Sequence, residues 1–184
     1  MNFIDLNKLN QPIVKLSKPG RYVAYVENRS GNFVFEITSE NVDLEIYGLF
    51  HGKQSEEYIV HTVQHHKSPN SKSNLLIRGV FEDESKFHYT GLVKIDKKAQ
   101  KSHAYQKNQN LILSDGVFVE SEPFLEIEAN DVFCTHGSTT GKINEDQLYY
   151  MTSRGVSREE AKKLIVQGFL EEIRQSVDQK RKLS

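Results

Sequence analysis

Cysteine occurs once in this 184-residue chain, as Cys134, and tryptophan does not occur at all. One cysteine rules out an internal disulfide and argues against a secreted, disulfide-built domain. No apolar run approaches the ~20 residues needed to span a bilayer. The N-terminal stretch MNFIDLNKLNQPIVKLSKPG has neither a continuous apolar segment nor a small-residue cleavage site, so it does not read as a signal peptide. The expectation is a cytoplasmic protein with no membrane partner. Neither sign of charge dominates: 24 basic residues stand against 25 acidic ones, for a net charge of -1. A dedicated nucleic-acid binder usually carries a basic excess on one face, so nucleic acid is not an expected partner. Hydrophobic residues make up only 37% of the chain, which allows a core without assuring a broad one.

Strands dominate what is present. After a polar lead-in over residues 1–20, closed by the turn signal Pro19-Gly20, the chain alternates apolar and polar residues in short runs. These include RYVAYVE, FVFEI, VDLEIYGLF, EEYIVHTVQ, NLLIRGVF, KFHYTGLVKI, NLILSDGVFVE and PFLEIEANDVFC. Turn-rich or polar joints separate them, among them HHKSPNSKS, EDES and DKKAQKSHAYQKNQ. A glycine followed by two apolar residues recurs at Gly48, Gly79, Gly91 and Gly116, at irregular spacing. Short strands at similar intervals suggest stacked coils such as a β-helix, and a β-sandwich is the competing arrangement.

No helical pattern fits before residue 144. From there Asn144 and Gln147 form a capping box, and Gly155 supplies a stop. Ser157 to Glu160 is a second capping box, followed by Ala161, Leu164, Ile165, Gly168, Phe169 and Ile173 at helical spacing. The tail QSVDQKRKLS is polar and is expected to fray. The chain thus divides into a β-part over residues 1–143 and a helical segment over residues 144–184.

The chemistry-bearing residues are few. GSTTGK reads as a turn feeding a helix. It departs from a phosphate loop because Gly137 and Gly141 enclose three residues and Ile143 stands where a magnesium-binding hydroxyl is required. His61 and His65 lack the intervening glutamate of a zinc protease and read as surface residues near a turn. Cys134 and His136, two apart in an extended stretch, project to one face about 7 Å apart. A lone cysteine is more often a small buried hydrophobe, and one thiolate with one imidazole is too few for an iron–sulfur cluster.

The C-terminal third nevertheless carries a specific pattern. Pro123, Leu125-Glu126-Ile127, Ala129, Asp131-Val132, Cys134, His136-Gly137, Gly141, Gln147-Leu148, Tyr150 and Ser153-Arg154-Gly155 occur in fixed order. Upstream, His66, Pro69 and Ser73 follow the form H-x-x-P-x-x-x-S, and Arg78-Gly79-Val80, Gly91 and Gln109-Asn110-Leu111 fit as well. Together these residues resemble the SufB/SufD family, scaffold subunits of the SUF iron–sulfur cluster assembly system, over about residues 40–173. The Cys-x-His form is more like SufD, and the chain looks like a shortened form of it.

That resemblance implies a mainly β fold, a right-handed parallel β-helix followed by a small α-helical segment. It implies a non-catalytic scaffold that pairs with a second SufB/SufD-like subunit, as homodimer or heterodimer, and docks a SufC-like ABC ATPase. Cys134 and His136 would then line the subunit interface and be candidate ligands of a transient cluster shared between chains, none being held by this chain alone. The ATPase-docking candidates are Tyr150, Arg154, Leu164, Phe169, Glu171 and Glu172. The alternatives are an interaction module that has lost cluster handling and, further off, a β-helix enzyme acting on carbohydrate.

Overall fold

A computed structural model describes residues 1–9 and 13–183. Among the described residues, eleven strands are followed by two helices: β1 (Asn2–Asp5), β2 (Ile13–Leu16), β3 (Gly20–Glu27), β4 (Gly31–Ile37), β5 (Val42–Gly52), β6 (Glu57–His66), β7 (Lys72–Phe81), β8 (Lys86–Ile95), β9 (His103–Ile112), β10 (Phe118–Ile127), β11 (Phe133–Lys142), α1 (Glu145–Thr152) and α2 (Arg158–Lys182). From β1 to β3 onward, odd-numbered strands form a six-stranded sheet in the order β1-β3-β5-β7-β9-β11, and even-numbered strands form a five-stranded sheet, β10-β8-β6-β4-β2. Every pairing is parallel. Asp43 pairs with Lys72 and Lys72 with His103, so successive coils take 29 and 31 residues. The stacked coils of a parallel β-helix are therefore present, and the sandwich alternative is excluded.

Alternation sends every second side chain inward. Phe35, Ile37, Leu44, Ile46, Phe50, Leu75, Ile77, Phe81 and Phe87 are all buried between the two sheets. The Phe87 ring lies 5.1 Å from that of Phe50 and 4.8 Å from that of Phe81. Burying each such ring stabilises the fold by about 1.5–3 kcal/mol. Gly79 makes room for this stack, since a Cβ there would lie 2.3 Å from the Phe81 ring. At one corner of the coils, Asn41, Asn70 and Lys101 share a left-handed φ of 57–58°. Backbone bonds from Asn41 N to Asn70 O (3.2 Å) and from Asn70 N to Gln100 O (3.0 Å) hold successive turns together there.

Four local expectations are corrected. The supposed lead-in contains β1 and β2, which extend the two sheets by pairing with β3 and β4. GSTTGK is not a turn: it lies within β11, with Gly137 opposite Lys107 and Gly141 opposite Leu111, and neither glycine has a positive φ. The polar joint at His103–Gln109 is the body of β9. The tail continues the helix over most of its described length, since α2 runs to Lys182 and buries Val177.

The helix boundaries follow the caps. The Asn144 side chain accepts from the amides of Asp146 (2.8 Å) and Gln147 (3.4 Å), and that of Ser157 from the amide of Glu160 (3.2 Å). Gly155, at φ +89°, ends the first helical segment. α2 lies on the outer face of the six-stranded sheet, where Leu170, Ile173 and Val177 pack with Tyr25, Leu49 and Val80. Lys180 reaches Glu45 and the Tyr47 hydroxyl, and the Arg181 guanidinium stacks 4.7 Å over the Phe3 ring. Among the described residues, no helix is long and apolar enough to cross a membrane.

Candidate functional site

β10 and β11 are the last strands of their sheets, so the coil stack ends in two open edges. Leu125 and Ile127 sit directly above Val93 and Ile95 in the ladder. The lower pair is fully buried, whereas Leu125 and Ile127 are 40% and 39% exposed. The sequence therefore continues the interior pattern of the core into a coil that none of the described residues covers. Phe118, Phe124 and Phe133 add exposed aromatic surface on the outer faces of the same two strands.

Cys134 and His136 lie on β11 above Ala104 and Gln106, both buried. They thus share the inward face, as their spacing predicts. Their environments differ. Cys134 is half-buried against the cluster of Val93, Ile95, Ala99, Ala104 and Ala129, and burial raises its thiol pKa above the ordinary value. The thiol is accordingly kept protonated near neutral pH in the isolated chain. His136 is exposed. Further along the same face, Ser138 donates to Ser121 of β10 at 2.9 Å, which ties the two open strands together. Among the described residues no group of three or more His, Cys, Asp and Glu side chains is arranged to hold a metal ion.

The helical segment forms a second surface. Asp146, Gln147, Tyr150, Met151, Leu164, Ile165 and Gly168 line a groove of about 570 Å³ between α1 and α2. Tyr150 and Leu164 are 58% and 47% exposed, and the Arg154 guanidinium stacks 4.7 Å over the Tyr150 ring. The other docking candidates are placed differently. Phe169 turns toward the β-helix, where Arg78 stacks 4.8 Å over its ring and donates to its carbonyl at 2.7 Å. Glu172 pairs with Arg78 at 2.6 Å, and Glu171 is half-buried. The helical stripe read from the sequence is thus split: Leu164, Ile165 and Gly168 face the groove, and Phe169 faces the sheet.

The three histidines of HTVQHH also divide. His61 is exposed, and His65 bonds Asp96 at 2.7 Å. His66 is fully buried; its Nε2 lies 2.7 Å from the Ser73 hydroxyl, and burial lowers its pKa to about 4. The histidine and serine of H-x-x-P-x-x-x-S are therefore hydrogen-bond partners in the interior. The sequence reading missed Arg78 as the link to α2 and Leu125 and Ile127 as uncovered interior positions. For the latter pair the signal was the alternation within PFLEI.

A family model for the SUF system FeS cluster assembly SufBD core domain matches residues 28–169, most of the chain. The chain belongs to the SufBD family. It is 29% identical over 142 residues to the iron–sulfur cluster assembly protein SufD of Escherichia coli, covering 77% of this chain and 34% of that protein. An iron–sulfur cluster assembly SufBD family protein of Mycobacterium leprae is 32% identical over 139 residues, covering 71% of this chain and 36% of the relative. SufD of Bacillus subtilis is 34% identical over 119 residues, covering 65% and 27%. The chain spans about a third of the length of these relatives. The matched region, residues 28–169, includes the open coil end and every residue lining the helical groove.

Proposed function

We propose that this SufBD chain is a non-catalytic scaffold subunit for iron–sulfur cluster assembly. A second β-helix subunit covers its open coil end, and an ABC-type ATPase docks on its helices. The uncovered interior positions Leu125 and Ile127 carry this reading, because they present core-type side chains at two unpaired strand edges. Such edges invite pairing with another chain. A subunit seated there brings its own ligands beside Cys134 and His136, so that two chains together supply what one cannot. The cluster is then cargo held at the interface. Covering the edge also changes the surroundings of the half-buried thiol, which must lose its proton to bind iron. The groove at Tyr150 and Leu164 suits an apolar helix of the ATPase.

One observation favours a competing reading. Cys134 packs as a small hydrophobe with alanines and valine, as it would in an interaction module that handles no cluster. The two readings separate on coexpression with a β-helix partner and the ATPase of a SUF system, followed by purification without oxygen. The scaffold reading expects a complex with iron and acid-labile sulfide. A stable complex lacking both supports the module, and failure to form any complex removes both readings.

A further inference from the structure

At the corner where each coil passes from the five-stranded to the six-stranded sheet, lysines collect on two successive coils. Lys72 opens β7, and Lys97, Lys98 and Lys101 lie between β8 and β9; all four side chains are exposed. His103, beside Lys72 in the β7/β9 ladder, is exposed as well. Elsewhere the protein pairs such cations with carboxylates on a neighbouring coil: Lys67 with Glu36 at 2.6 Å, Lys53 with Glu82 at 3.0 Å and Lys94 with Glu126 at 2.5 Å. Among the described residues, the ammonium groups of Lys72, Lys97, Lys98 and Lys101 have no such partner.

Beside these lysines the surface forms a concavity of about 420 Å³, lined by Lys101, His103, Asp131, Val132 and Phe133. Phe133 is 63% exposed, and its ring lies 6.0 Å from that of His103. It projects from the face of β11 opposite to Cys134, outward rather than toward the coil interior. The positive charge is bounded. Glu40 and Asp43 occupy the corner one coil before, and Glu128 and Asp131 one coil after. Coils stack about 4.8 Å apart, so the site runs two steps, roughly 10 Å, along the axis from the Lys72 layer through His103 to Phe133. That length matches three or four residues of extended peptide at about 3.3 Å each and is short for a phosphate backbone followed over several nucleotides.

We propose that this corner docks an acidic peptide segment of a protein partner, one that also carries an aromatic or large aliphatic side chain. Its carboxylates meet Lys97, Lys98 and Lys101, and its apolar side chain lies in the concavity against Phe133. The site lies at the rim of the open coil end and shares no residue with the helical groove.

The test uses the full chain and fluorescence anisotropy of a labelled glutamate-rich peptide with one central phenylalanine. A lysine-rich peptide and a single-stranded oligothymidylate serve as comparisons. The acidic peptide should bind, and more weakly as salt rises through about 0.15 M. Combined Lys97→Glu, Lys98→Glu and Lys101→Glu should weaken it by about tenfold or more. Phe133→Ala should weaken it with the lysines intact, and Phe133→Gln should do the same if the alanine variant is poorly folded. No binding by the wild-type chain, unchanged binding by the triple variant, or tighter binding of the oligonucleotide would each overturn the assignment.

Discussion

Arg78 on β7 and Glu172 on α2 meet at 2.6 Å, and through this contact the helical segment is fixed to the middle of the six-stranded sheet. The arginine also donates to Gln109 at 3.3 Å and to the Phe169 carbonyl at 2.7 Å, so its planar head joins two strands and a helix. Its side chain is 10% exposed, whereas that of Glu172 is 63% exposed. The stabilisation therefore resides mainly in the arginine and its carbonyl partner.

Arg78→Met should lower stability by about 1–3 kcal/mol, because it leaves the Phe169 carbonyl and the Gln109 amide without their donor. For a chain of this size that is a fall in melting temperature of roughly 3–10 °C. Glu172→Gln should cost much less. Differential scanning fluorimetry of both variants checks the order, and equal midpoints would contradict it. Charge reversal at Glu172 is thus expected to disturb the isolated fold before it disturbs any docking.

His66 makes stability depend on pH. Burial holds its pKa at about 4, below the ordinary 6.5. As pH falls through about 6.5 the unfolded chain takes up a proton that the folded chain refuses until about pH 4. Stability is therefore full above that window, declines within it and levels off below, by at most roughly 3 kcal/mol. Urea midpoints at pH 7 and pH 5 should show the decline for the wild type and a flatter response for His66→Gln. Parallel slopes in the two proteins would remove His66 as the cause.

The glycines respond in opposite ways. Gly79→Ala places a Cβ 2.3 Å from the Phe81 ring and 2.9 Å from the Asn110 carboxamide oxygen, and should destabilise by about 2 kcal/mol or more. Gly141→Val lies in a strand with nothing within 4 Å of its Cβ, and should change stability by no more than about 0.5 kcal/mol. Melting temperatures decide this, and a large loss for Gly141→Val would mean that β11 needs a glycine conformation there.

The groove carries a binding prediction. Leu164 is 47% exposed, so Leu164→Asp should leave the melting temperature nearly unchanged. It should also weaken recovery of the ATPase by about tenfold or more in a pull-down, as loss of a central apolar contact does. Full recovery with a normal fold would move the docking surface elsewhere.

How legible the fold was depended on where its polar residues point. Strands such as KFHYTGLVKI show their alternation openly, and β8 lies where that pattern puts it. β9 was hidden because its inward residues Gln106, Asn108 and Asn110 are polar. They are buried by bonding to each other and to backbone, as in Asn110 Nδ2 to Asn108 Oδ1 at 2.6 Å and Gln106 Nε2 to the Gly91 carbonyl at 3.3 Å. GSTTGK has the composition of a turn, but its ladder to β9 makes it a strand. Ile173 and Val177, four apart, bury the helix end that its charged neighbours made look loose. At the site, the shared face of Cys134 and His136 followed from their spacing. Which core-type residues that end leaves uncovered, Leu125 and Ile127, did not, because it depends on which coil lies last in the stack.

The most direct measurement is the iron and acid-labile sulfide content of the coexpressed complex with Cys134→Ala and His136→Ala introduced separately. All preparations are made without oxygen, and subunit stoichiometry is checked on the same samples. The account predicts normal assembly in both variants, with iron and sulfide lost in Cys134→Ala and lowered in His136→Ala. Wild-type iron and sulfide in both variants would contradict a role for this coil end in holding the cluster.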